Sequence, residues 1–116
     1  MQVTPINDAK AYEAPEHYGM ACLRLQGKEA SATSAMWVGL SHVLPGGHTS
    51  LKASDQEKIY VVVAGQVTIG TGQETATLGP LDSCVIAPGE PRKLENRTNA
   101  PASILLVMEE VRPTDT

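Results

Sequence analysis

The chain has 116 residues, enough for one domain with one core of moderate size. Its 9 Lys and Arg stand against 13 Asp and Glu, a formal net charge of −4, which gives no basic footprint for nucleic acid and no pull toward an anionic membrane. No apolar run approaches the roughly 20 residues of a membrane span, and the N-terminus has no basic region leading into an apolar one. A soluble, cytoplasmic protein without nucleic-acid or membrane partners is expected.

In chain order, residues 1–19 read as an N-terminal extension, with one helix-permissive stretch at 9–14 bracketed by Pro5 and Pro15. After it come short strands separated by turn signals, the pattern of an antiparallel all-β sandwich or barrel. The expected strands are 20–26, 35–44, 49–52, 58–64, 66–71, 74–78, 83–86, 92–96 and 102–109. Pro45-Gly46-Gly47 reads as a break, Gly70-Thr71-Gly72 as a hairpin, and Pro88-Gly89-Glu90-Pro91 as a tight corner. The domain is expected to span 20–112, followed by a tail at 113–116. With no Phe, one Trp and three Tyr, the core must come from aliphatic residues. Cys22 and Cys84 read as free buried thiols. Trp37 reads as core or interface, and His17, His42 and His48 share no spacing that would make a metal site.

Two stretches resemble the consensus motifs of the cupin superfamily. The first family motif reads G-x5-H-x-H-x3-E-x6-G; here Gly46 opens it, Gly65 closes it, and Ile59-Tyr60-Val61-Val62-Val63-Ala64 leads into the closing glycine. The second reads G-x5-P-x-G-x2-H-x3-N, and Gly89 and Asn96 fall on it, with Leu81 and Ala87 in its Gly and Pro slots. The resemblance implies a small jelly-roll barrel and a homodimer, with segments 20–25 and 36–44 suited to the interface. Carried over slot by slot, it also places Lys52, Ser54, Lys58 and Arg92 where the family holds His, His, Glu and His. A first-row metal needs donor lone pairs, and Lys and Arg present protons instead. The expectation is therefore no metal and no other cofactor.

Strand alternation proposes what took the metal's place. If slots 52 and 54 face inward, Ser50 and His48 do too; slot 58 brings Tyr60 and Val62, and slot 92 brings Leu94 and Asn96. Lys52, Lys58, Tyr60 and His48 are then the candidate catalytic residues. Arg92, Lys52, Ser54 and Asn96 are the candidate ligand contacts. Buried cations need partners, either internal carboxylates or a bound anion. The function expected is metal-independent binding of a small anionic organic molecule such as a carboxylate, with isomerase, cyclase or lyase chemistry. The alternatives are a non-catalytic binding or sensing module and a structural barrel with a vestigial site.

Overall fold

A computed structural model describes residues 1–110; residues 111–112 of the expected barrel and the tail at 113–116 lie outside the described residues. A single 3-10 turn, Ile6–Asp8, precedes nine strands: β1 Lys10–Tyr12, β2 His17–Gln26, β3 Met36–Thr49, β4 Lys58–Ala64, β5 Val67–Gly70, β6 Thr75–Leu78, β7 Ser83–Ile86, β8 Lys93–Glu95 and β9 Ala102–Glu109. They form one antiparallel sheet ordered β6-β5-β8-β3-β9-β4-β7, with β2 on β3 and β1 on β2. The two ends of that order, β6 and β7, are joined by a short turn, so the sheet curls into a nearly closed barrel. The Asp82 carboxylate holds that turn by accepting the Gly79 N–H at 2.9 Å.

The helix-permissive stretch at 9–14 is extended instead. Lys10, Ala11 and Tyr12 pair with Arg24, Leu23 and Cys22, and this ladder outweighs a local helix preference in a segment too short to nucleate one. The single helical turn lies earlier, at Ile6–Asp8. A second difference concerns Pro45-Gly46-Gly47, which does not end its strand. β3 continues through it with a bulge, the pairing stepping from Val43↔Met20 to His48↔Tyr18. Gly47 permits this because a side chain there would meet the Gly19 carbonyl oxygen at 2.4 Å.

β4 shows how composition makes the core. Its run of aromatic and β-branched residues suits a pleated strand, and alternation puts Lys58, Tyr60 and Val62 inside. Tyr60 and Val62, with Val43, Val67, Leu94, Ala102 and Ile104, form the floor of the barrel. Each large side chain fully buried there contributes about 1.5–3 kcal/mol. Above that floor the barrel stays open, and the site occupies the space.

Candidate functional site

A cavity of about 310 Å³ lies inside the barrel. Trp37 from β3, Leu94 from β8, Leu106 and Met108 from β9 and Met20 from β2 supply apolar walls. Lys58 and Tyr60 from β4, Arg92 from just before β8 and His17 from β2 supply polar groups. Residues 13–15, between β1 and β2, lie along one side.

Lys58 is only 6% exposed. Its Nζ donates to the Ser54 hydroxyl at 2.5 Å, and burial together with the nearby Arg92 charge pushes its pKa down. Arg92 donates Nε–H to the Tyr60 phenol at 2.9 Å, and Nη1 to the Thr49 hydroxyl and the Ser50 carbonyl, both at 3.3 Å. No Asp or Glu among the described residues forms an ion pair with either cation. Burial raises the Tyr60 pKa, the Arg92 charge opposing it, so at neutral pH the residue is a phenol. Its oxygen can thus accept from Arg92 and still donate.

The other expected site residues lie elsewhere. Lys52 bridges to Arg92 through its backbone, but its side chain is 63% exposed and pairs with Glu16 at 3.0 Å, outside the cavity. Ser54 does not line the cavity and touches the site through Lys58 and through the backbone of Gln56, whose N–H it accepts at 3.3 Å. His48 is on the outer side of β3: its Nδ1 meets the Gly46 carbonyl at 3.1 Å and its ring lies 5.1 Å from that of Tyr18. Alternation counted back from Lys52 put His48 and Ser50 inward, yet Thr49 is the fully buried residue. The count assumed one unbroken strand, whereas β3 ends at Thr49 and Lys52 forms only an isolated bridge. Asn96 is 1% exposed and its amide is fully used: Nδ2 donates to the carbonyls of Val43 and Ala100, and Oδ1 accepts from the Thr98 N–H and hydroxyl.

Three cavity residues escaped the sequence reading of the site. Arg24 lies 3.7 Å from the Tyr12 ring centre and 4.5 Å from that of Trp37, and its Nε bonds Glu29 at 3.2 Å. A signal existed, since Arg24 shares the parity of Met20 and Cys22 in an apolar strand. Burial pushes the Tyr12 pKa up to about 12. His17 lies before the expected start of its strand, so alternation had nothing to count from.

The donor chemistry does not suit a first-row metal ion. Around Lys58 and Arg92 stand hydroxyls and cations. Among the described residues, no cluster of three or more His, Cys, Asp or Glu side chains is placed to hold an ion. Cys22 and Cys84 are free thiols, the first buried and the second half-buried. Among the described residues, no helix is long and apolar enough to cross a membrane.

Over 108 residues, 93% of each chain, the sequence is 38% identical to a Mycobacterium tuberculosis protein named beta-D-galactosidase. Among solved structures, the polyketide cyclase RemF of Streptomyces resistomycificus superposes with a TM-score of 0.86 at 20% identity, over 97% of this chain and 82% of that one. A cupin-superfamily sugar phosphate isomerase from Silicibacter pomeroyi superposes with a TM-score of 0.71 at 28% identity, over 80% of this chain and 60% of that one. Residues 39–108 match the family described as Cupin domain, and the chain belongs to that family.

Proposed function

We propose that the barrel binds a small organic anion, a carboxylate above all, and acts on it without a metal by moving a proton, in an isomerisation, cyclisation or elimination. The carrying observation is that Lys58 and Arg92 face an apolar-walled cavity with no carboxylate partner among the described residues. A buried cation without a counter-ion costs several kcal/mol or loses its charge, and an anionic ligand relieves that cost. Arg92 offers a planar fork, of which Nη2 makes no hydrogen bond among the described residues. Lys58 offers a point charge that also stabilises negative charge developing on the ligand. Tyr60 steadies the fork and has its own proton to donate. Lys52 and His48 are not assigned to the site, and Asn96 serves the fold.

A thermal-shift screen of small carboxylates and phosphates tests this reading, with divalent metals as parallel conditions. Wild type is compared with Lys58→Ala, Arg92→Lys and, as an outer-surface control, Lys52→Ala. A ligand at a hundredfold excess over its dissociation constant adds about 2.7 kcal/mol of stability. Stabilisation that the Lys58 and Arg92 variants lose and the Lys52 variant keeps is the expected result. Failure of every anion to stabilise wild type would count against the pocket, and stabilisation by a metal would overturn its metal independence.

The name of the 38% identical relative suggests a second substrate class, a galactoside. Glycoside cleavage usually employs two carboxyl groups flanking the bond, and Glu13 is the cavity's only carboxylate among the described residues. A chromogenic galactoside belongs in the same screen, and turnover abolished by Glu13→Gln would favour that reading over the first.

A further inference from the structure

We propose that His17 is the proton acceptor of the barrel cavity, its Nε2 meeting the bound anion beside the Arg92 guanidinium; this rests on the anion-binding reading above. His17 opens β2 directly opposite Thr49 of β3. Opposed residues on antiparallel strands share a face, with Cβ atoms about 4.5–5.5 Å apart. Thr49 is fully buried and its hydroxyl accepts from Arg92 Nη1 at 3.3 Å, so imidazole and guanidinium flank one threonine. Both line the same cavity. His42 is instead exposed and bonded to the Ser103 hydroxyl at 2.9 Å, and His48 stacks on Tyr18 outside the barrel.

The ring's local contacts set its protonation. Nδ1 lies 2.7 Å from the Pro15 carbonyl oxygen, which can only accept, so Nδ1 carries a hydrogen. In the neutral ring the lone pair is then on Nε2, which makes no hydrogen bond among the described residues. Burial lowers the His17 pKa; the Pro15 contact opposes it, Arg92 adds to the lowering, and Glu16 opposes it. The charged and titratable groups around it are Tyr12 on β1, Glu13 and Glu16 in the following segment, Arg24 on β2 and Lys28 just after it, Lys52 and Arg92 beyond β3, and Lys58 and Tyr60 on β4. Glu16 is held by Lys52, which blunts its pull on the imidazole.

The step balances within the ligand. With its carboxylate on Arg92 and Lys58, the ligand gives a proton from an acidic carbon to Nε2. The C–H bonding pair moves into the adjacent carbonyl to form an enolate facing the two cations. The imidazolium then returns the proton to a different atom of the same molecule, and no oxidant or reductant takes part.

Benzoate is a suitable non-reacting probe. Seated on Arg92, it removes the repulsion felt by the imidazolium, so His17 gains a proton more readily, and by reciprocity benzoate binds more tightly in acid. Calorimetry at about pH 5 and about pH 8 should show roughly fivefold tighter binding at the lower pH. His17→Gln should still bind benzoate but lose that ratio, which separates His17 from Lys58. Long-range 15N spectra of wild type should show the Nδ1–H tautomer, and this readout does not depend on the variant folding. An Nε2–H tautomer, or an unchanged pH ratio in His17→Gln, would overturn the proposal. If benzoate does not bind at all, the pocket reading is at fault, and the His17 titration in Arg92→Lys and Arg92→Gln decides the placement. A His17 pKa that rises only when the charge is removed supports it; one that moves in neither variant rejects it.

Discussion

Arg92 donates its Nε–H to the phenol of Tyr60 at 2.9 Å, although 32 residues separate them in the chain. That contact fixes the fork at the cavity wall. Tyr60→Phe removes the acceptor and leaves a half-buried N–H unpaired, which costs about 1–3 kcal/mol. Urea denaturation should report that loss as a lower midpoint with unchanged slope. Anion binding should weaken yet persist, because both charges remain; complete loss would mean that Tyr60 itself holds the ligand.

Lys58 gives a pH signature. Its folded pKa is below its unfolded value, because burial and Arg92 disfavour its charge. Below the folded pKa both states are protonated, and the native state carries the full penalty. As pH rises from the folded pKa toward the ordinary lysine value, the unfolded chain binds more protons and the penalty is lost. Lys58→Met should therefore be more stable than wild type at neutral pH, with the difference shrinking toward about pH 10.5. Equal stability of the two proteins at neutral pH would show that Lys58 reaches water or a counter-ion.

Asn96 offers the opposite case, a site candidate that the fold has claimed. Its amide joins β3 to the turn before β9 through the carbonyls of Val43 and Ala100, at 2.9 and 2.8 Å. Asn96→Ala strands both carbonyls, at about 1–3 kcal/mol each. A drop of that order in unfolding free energy is expected, with benzoate affinity unchanged. A stable variant with weakened binding would return Asn96 to the site.

What the sequence made legible tracks local regularity. The strands at 58–64, 83–86 and 102–109 coincide with β4, β7 and β9, where alternation runs unbroken between clear turn residues. For the same reason Tyr60 and Val62 could be set beside Lys58 from parity alone. Legibility failed where pairing with a distant strand decides conformation, as for β1, and where a bulge or strand end upsets the count, as at His48. His17 was missed for a further reason. What makes it notable is its register with Thr49, 32 residues later, and no local pattern carries that.

The outer face of the barrel supports a last prediction. Val38, Val107, Ile59 and Val85 lie side by side on β3, β9, β4 and β7, and Leu40, Leu105 and Val61 form the next row. Ile59 and Val85 are 41% and 57% exposed, and β7 is an edge strand. Contiguous apolar rows of this kind mark association surfaces, and an unpaired edge invites pairing. A homodimer using this face would bury the same rows of a second copy in an isologous contact, with segment 36–44 of the expected interface contributing to it and segment 20–25, on β2, lying outside it. Sedimentation should give twice the chain mass. Ile59→Lys combined with Val85→Lys should give the single-chain mass with an unaltered circular-dichroism spectrum, because both side chains point away from the core. A wild type that sediments as a monomer at high concentration would remove the dimer, and a double variant that stays dimeric would move the interface to another face.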